Sequence, residues 1–303
     1  MLCGIATGEN ALFEKIVLAT DLSPAWNEIV ACAGEFKALG CKQVILTYVI
    51  SVKFMAGMEG ILQSTARPKL EAQQQQLEAQ GLQVSIEIPM GLPGDSLNEI
   101  ACRCCADLIV VGSHGQSLWR EGVLGCFTCA VLHNAQYPVL LLNVSLKMPG
   151  HPGSCQISGA EVLRHVLFPT DFSAISSRAL EYVERMAAKG LSQVTLLNAL
   201  DVPGGEDVYP PGYQEIAAGA ARDLLEQWKQ RLLQAGIPLV NDHFDPGHPL
   251  PAILRVLESQ DISLIVMGTQ GKGFIKEIFL GSVAHNVSRL AACPVLLIPP
   301  ESR

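Results

Sequence analysis

No stretch of this chain approaches the roughly 18 consecutive apolar residues that cross a bilayer, although hydrophobic residues make up 49% of it. That apolar content must therefore go into buried strands and helix faces. The opening MLCGIATGENALFEK has neither a basic leading region nor an apolar core, so no secretory leader is expected and a cytoplasmic setting is. Basic charge is scarce and scattered: 21 Lys and Arg stand against 29 Asp and Glu, a net charge of −8, which excludes a nucleic-acid footprint. Catalytic signatures are also missing. There is no GxxxxGK[ST], no HExxH and no GxSxG. The seven histidines are scattered; His114 and His285 lie near glycine-rich segments, but neither is matched at the equivalent place elsewhere in the chain. No catalytic residue and no metal-ligand set is assigned.

What the chain does contain is a duplicated glycine frame. Gly112 to Cys126 reads GSHGQSLWREGVLGC, and Gly268 to Ser282 reads GTQGKGFIKEIFLGS. The frames are offset by 156 residues, as are Tyr137-Pro138-Val139-Leu140-Leu141 and Cys293-Pro294-Val295-Leu296-Leu297. Near the start of each half the offset is 150, joining KIVLATDLS (Lys15 to Ser23) to HVLFPTDFS (His165 to Ser173). The second half thus carries six extra residues, and DVPGGEDVYPPG (Asp201 to Gly212) is the place for them. A repeat of this length is a duplicated domain, and 303 residues suit two domains of about 150. The boundaries expected are 1–144 and 160–303, joined by a Gly/Pro/Ser-rich linker over 145–159.

The ten cysteines are expected to be thiols in a cytoplasmic protein. Cys102-x-x-Cys105 and Cys126-x-x-Cys129 have the outward form of a four-thiolate zinc pattern. Their helical placement, and the lack of matching cysteines in the second half, favour buried thiols instead. A thiol or zinc sensor in the first half stays as an alternative.

Each half alternates strand and helix signals. In the first, KIVLAT, QVILTYVI, QVSIEI, ADLIVVG and PVLLLNV read as strands. Helices are expected from Ser23-Pro24 to Leu39-Gly40, over RPKLEAQQQQLEAQG, and from Asp95 to Ala106. In the second, HVLFPT, QVTLLNAL, LVNDHF, ISLIVMG and PVLLIPP are strands, with helices over Ser173 to Lys189, EIAAGAARDLLEQWKQRLLQAG and VAHNVSRLAA. Continuous apolar strands alternating with helices predict a parallel α/β sheet covered on both faces. Such sheets bind ligands at the carboxyl ends of their strands. Asp21, Asp171 and both glycine frames sit at such ends.

The frame has a chemical logic. Glycines at Gly268 and Gly271 permit a tight turn and close approach to a ligand. Gly281-Ser282 opens a helix whose free N–H groups and positive dipole end suit anionic oxygens. The Ser282 hydroxyl adds a donor, and Lys272 and Lys276 add charge. The other reading makes Ser282 a helix cap and the glycines turn formers. Asp171 could bond a ribose hydroxyl or a base amine, or act only as a turn residue. Val49 and Ala199, at the ends of second strands, could flank a base or simply be core.

VLFPTDFS, LIVMGTQG, FLGSVAHNV and CPVLLI together resemble the universal stress protein family, and the whole of each half follows its layout. The resemblance implies two tandem doubly wound α/β domains, each a five-stranded parallel sheet of order 3-2-1-4-5 with helices on both faces. It implies ATP or another adenine nucleotide, with or without Mg, as cofactor. Thr170, Asp171 and Ala199 would contact base or ribose. Gly268, Gly271, Gly281, Ser282 and Val283 would hold ribose and phosphates. In the first half Asp21, Val49, Gly112, Gly115 and Gly125 match, but Cys126 replaces the family's Ser or Thr and the loop carries Trp119. The first-half motif is therefore degenerate. The family also implies pairing through the last strands, so the halves are expected to form a built-in pseudo-dimer, with a homodimer as a further option. The implied role is a nucleotide-dependent sensor or regulator. The alternative is a slow ATPase or a nucleotide transferase, for which the sequence assigns no base.

Overall fold

The computed structural model describes residues 12–23, 29, 33–51, 59–113, 124–143, 162–200, 212–272 and 280–301. In the first half the elements are β1 (Lys15–Ala19), α1 (Ala33–Ala38), β2 (Gln43–Thr47), β3 (Ile50–Ser51), α2 (Glu59–Glu78), β4 (Gln83–Glu87), β5 (Met90–Gly91), α3 (Pro93–Cys104), β6 (Leu108–Gly112), α4 (Cys126–His133) and β7 (Val139–Leu142). The second half supplies β8 (His165–Pro169), α5 (Ala174–Ala187), β9 (Gln193–Ala199), α6 (Tyr213–Gln234), β10 (Leu239–Asp245), α7 (Pro249–Ser259), β11 (Leu264–Gly268), α8 (Ser282–Leu290) and β12 (Val295–Ile298).

Two separate sheets are not what forms. The large sheet is continuous and ten-stranded, in the order β10-β9-β8-β11-β12-β7-β6-β1-β2-β4. Every pairing within a half is parallel. At the centre β12 meets β7 antiparallel, with Val295 opposite Leu141, Leu296 opposite Leu140 and Leu297 opposite Val139. The cause is local. β7 and β12 are apolar and buried along their whole length. Each would otherwise leave a flat apolar edge with unpaired N–H and C=O groups, and each covers the other. The outer edges are left to β4 and β10, whose residues are largely half-buried or exposed. β3 and β5 form a separate two-stranded piece.

The inner strands are apolar on both faces because both faces are covered. β8 and β11 are buried at every residue. One core lies under α1, α2, α5 and α6, with Phe36, Leu70, Leu180 and Leu225 among its members. The other lies under α3, α4, α7 and α8, with Leu97, Val131, Ile253 and Val287. Both cores draw residues from both halves. α5 shows why these segments are helical. Ser173 caps it, accepting from the Ser176 N–H at 3.2 Å. Ile175, Ala179, Leu180, Val183 and Met186 then bury one stripe. α2 starts at Glu59, ahead of the segment expected, and carries Pro68 in its interior.

Among the described residues, further contacts tie the halves beyond the strand pairing. Phe13 stacks on Tyr182 with centroids 5.9 Å apart. The Val162 N–H donates to Glu35 Oε2 at 3.0 Å. The Asn143 amide donates to the carbonyls of Ala291 at 2.6 Å and Cys293 at 2.9 Å. Asn143→Ala should lower unfolding stability by about 1–3 kcal/mol, since two carbonyls lose a donor. Its circular dichroism should match the parent's. A urea midpoint equal to the parent's would show that these bonds contribute nothing to the seam.

The expected linker over 145–159, and most of the loop assigned the six extra residues, fall outside the described residues. No helix among the described residues is long and apolar enough to cross a membrane.

Candidate functional site

At the carboxyl ends of β8, β9 and β11 lies a cavity of about 750 Å³. All eight second-half residues singled out from the sequence line it: Thr170, Asp171, Ala199, Gly268, Gly271, Gly281, Ser282 and Val283. The structure adds residues the sequence reading missed. They are Asn198, Thr269, His248 and Pro249 at the head of α7, and a wall of Tyr213, Ala217, Ala220, Ala221 and Leu224 from α6. The α6 wall could have been read from the run AAGAA, because small residues leave room beside a sheet.

The turn after β8 is set by its own sequence. Thr170 Oγ1 accepts from the Phe172 N–H at 3.1 Å, and Asp171 Oδ1 accepts from the Ser173 N–H at 3.0 Å. Phe172 takes φ +59°, a left-handed conformation unusual for a side chain of its size. The same turn occurs after β1. Leu22 has φ +60°, Thr20 Oγ1 accepts from the Leu22 N–H at 3.1 Å, and Asp21 Oδ1 from the Ser23 N–H at 2.9 Å. The same left-handed turn, with the same pair of side-chain hydrogen bonds, thus stands at the same place in each half.

Asp171 does more than end a strand. Its Oδ1 also accepts from Ser176 Oγ at 2.6 Å, and its Oδ2 accepts from the Lys272 N–H at 2.6 Å. The carboxylate thus fastens the glycine loop to the β8 turn. Burial pushes its pKa up, but hydrogen bonds from Ser176, Ser173 and the Lys272 amide outweigh burial and hold it below the ordinary carboxylate value. Because the folded pKa is lowered, this contribution to stability is present above the unfolded pKa. It is lost as pH falls through the folded one. The stability gap between the parent and Asp171→Asn should therefore be widest near neutral pH and close as pH falls through the lowered folded pKa. Urea unfolding at several pH values checks this; a gap that stayed constant would show that Asp171 is not ionised in the fold.

The glycines separate into two kinds. A Cβ on Gly271 would lie 2.6 Å from Asp171 Oδ2, and one on Gly268 would lie 2.7 Å from Ile175 Cγ2. Packing inside the protein requires glycine at both positions, with no ligand invoked. Gly281 differs. Its φ of −67° and ψ of 152° suit any residue, and a Cβ there would approach the Thr269 carbonyl only to 3.3 Å. Gly281 is the N-cap of α8 and offers no side chain to it. The first-turn residues Ser282, Val283 and Ala284 line the cavity directly.

Polar groups converge on the same space. α7 also begins at the cavity, with His248 Nδ1 accepting from the Leu250 N–H at 3.2 Å. Lys272 lines the cavity, its Nζ 6.0 Å from the Phe172 ring centroid. Two buried oxygens of lining residues, Asn198 Oδ1 and Thr269 Oγ1, have no hydrogen-bond partner among the described residues. Asn198 cannot turn its amide to solve this, because Nδ2 already donates to the Thr170 carbonyl at 2.7 Å. An anionic group with a polar, hydrogen-bonding body fits this donor and acceptor set.

In the first half the matching residues hold matching places. Asp21 ends the β1 turn, and Val49 is buried just beyond β2. Gly112 closes β6, its carbonyl accepting from Thr128 Oγ1 at 2.7 Å. Gly125 is the N-cap of α4, its N–H donating to the Ser113 carbonyl at 3.1 Å. Gly115 and Trp119 lie outside the described residues, as does Lys276 in the second half. Cys41, Cys102, Cys104, Cys126, Cys129 and Cys293 are free thiols. The expectation of thiols throughout is corrected at Cys105, which is disulfide-bonded. Among the described residues no group of three or more His, Cys, Asp or Glu is placed to hold a metal ion.

Fold and cavity together define a duplicated, Rossmann-like α/β protein with a cavity at the carboxyl ends of its second-half strands. The chain belongs to the universal stress protein family, whose model matches residues 12–143 and 163–299. A universal stress protein of Mycolicibacterium smegmatis is 25% identical over 301 residues, covering 94% of this chain and 97% of that protein. Universal stress protein MJ0577 of Methanocaldococcus jannaschii is 28% identical over 153 residues, covering 45% of this chain and 94% of its own length. The crystal structure of a universal stress protein from Archaeoglobus fulgidus superposes with a TM-score of 0.73 at 24% identity, covering 94% of this chain and 98% of that one. This last likeness supports the fold.

Proposed function

We propose that the second half binds an adenine nucleotide, ATP in the first instance, and that the protein works as a nucleotide-dependent regulator in the cytoplasm. In this reading residues 1–144 and 160–303 are two units, each of strand order 3-2-1-4-5, docked as a pseudo-dimer. The observation that carries it is the head of α8. An N-terminus without a side-chain cap opens on a cavity of about 750 Å³, beside Lys272 and two buried oxygens that lack partners. Phosphates would lie against the N–H groups of Ser282 and Val283 and the Ser282 hydroxyl. Base and ribose would lie toward Ala199 and the small-residue wall of α6, where Asn198 Oδ1 and Thr269 Oγ1 supply acceptors. Asp171 holds the glycine loop in place for them. With its oxygens engaged by three protein donors and no second acid or base supplied by the sequence motifs, the residues favour binding over turnover.

Calorimetry of the full chain with ATP tests the reading. The expected stoichiometry is near one, because Cys126 stands where the second half has Ser282 and a thiol is the weaker hydrogen-bond donor. Ser282→Ala should weaken binding by about 1 kcal/mol, the net worth of one hydrogen bond at a partly solvated site. Two equal sites would remove the asymmetry, and no heat with any adenine nucleotide would remove the proposal.

A further inference from the structure

The first half puts different chemistry at the equivalent helix head. α4 begins Cys126-Phe127-Thr128-Cys129, with Cys126 its first residue and Gly125 a cap without a side chain. The equivalent positions in the second half, 156 residues on, are Ser282 and His285, so the pair is particular to the first half. Cys126 is exposed and Cys129 is half-buried. Residues three apart on a helix have Cα atoms roughly 5 Å apart from rise and radius, inside the range of about 4.4–6.8 Å that a disulfide spans. Burial pushes the Cys129 thiol up, and the charge of Cys126 pushes it up further, so the two sulfurs feel one another across the first turn. Among the described residues, Cys129 Sγ otherwise makes a weak contact to the Leu124 carbonyl at 4.0 Å.

We infer that Cys126 and Cys129 form a redox-active dithiol, oxidised to an intrahelical disulfide by a low-molecular-weight disulfide of the glutathione type. Cys126 is the attacking sulfur because solvent reaches it. Its thiolate displaces one thiolate from the small disulfide and is left in a mixed disulfide. Cys129, having given its proton to solvent, then attacks Cys126 Sγ and expels the second thiolate. Two cysteine thiols and one small disulfide become one protein disulfide and two small thiols, and two electrons pass from the pair to the oxidant. The first-turn N–H groups of α4, open for the same reason as those of α8, are donors for the sulfur anion during the exchange. The inference does not depend on nucleotide binding in the second half. Zinc is the rival use of such a pair, and the lack of a third ligand among the described residues disfavours it.

The test is to equilibrate the full chain with mixtures of oxidised and reduced glutathione, block free thiols, and map peptides by mass spectrometry. In the parent, Cys126 and Cys129 should be linked to each other, and the linked fraction should fall as reduced glutathione rises. In Cys129→Ser, Cys126 should keep a glutathione adduct at least ten times longer than in the parent, because the resolving sulfur is gone. Cys126→Ser restores the residue type found at Ser282, so folding is not at issue, and Cys129 should then stay unmodified. The inference is overturned if the parent itself retains the adduct on Cys126, or if Cys126 pairs with Cys102 instead. It is equally overturned if both thiols remain blockable in oxidised glutathione alone, or if zinc protects them in a chelator-reversible way while oxidant does not.

Discussion

Gly281→Val is expected to abolish nucleotide binding by the full chain while leaving the fold in place. The backbone at Gly281 is extended and strains no side chain. Its Cβ would press on the Thr269 carbonyl at 3.3 Å and the Gln270 Cα at 3.5 Å, contacts that small shifts relieve. The folding cost should be at the low end of overpacking, about 1 kcal/mol. Gly281 lines the cavity, so the two further methyls would take up space beside the head of α8, where the phosphates would lie. Affinity should fall by roughly a hundredfold or more, equivalent to about 3 kcal/mol. Gly271→Ala is the instructive contrast. Its Cβ, 2.6 Å from Asp171 Oδ2, would break the bond to the Lys272 amide and cost stability and binding together. Calorimetry and thermal unfolding of the two variants separate the cases. Parent-like affinity in Gly281→Val would move the site away from α8.

The second large effect is expected at the seam. Leu141 and Leu297 are both fully buried and belong to the same core. Lysine at both would place two ammonium groups in an apolar layer with no carboxylate in the adjoining strand register. The effective penalty is several kcal/mol per ion, against a total domain stability of about 5–15 kcal/mol. The double variant should lose cooperative unfolding and expand in solution scattering. A double variant as compact as the parent would show that β7 and β12 do not form the central pair.

Much of the fold is legible in the sequence because buried parallel strands are apolar along their whole length. KIVLA, LIVVG, HVLFP and LIVMG are apolar at nearly every position, and a parallel interior leaves no other reading. The glycine frame and the TD turn pointed to positions that line one cavity, since both sit at strand ends by their order in the chain. Other parts were hidden for stated reasons. α7 went unassigned although Pro249 follows a capping His248, because HPLPAILRVLES is short and contains two prolines. β3 and β5 have two residues each, too few for any periodic pattern. Asn198 was missed because its importance lies in what each end of its amide meets, which no spacing encodes. Gly268 and Gly271 were assigned the right place for a different reason: the molecule's own packing, not a ligand, forbids their side chains.

The antiparallel meeting of β7 and β12 has a geometric result for whatever the two halves hold. Strands of the first half run opposite to those of the second, so their carboxyl ends emerge on opposite edges of the shared sheet. A five-residue strand alone spans about 17 Å. The cavity at Ser282 and the thiol pair at Cys126 therefore lie toward opposite ends of the strands, with the shared sheet between them. Under the two proposals above, coupling between a bound nucleotide and the thiol pair would run through the shared sheet, across the β7–β12 pairing in which Leu140 faces Leu296.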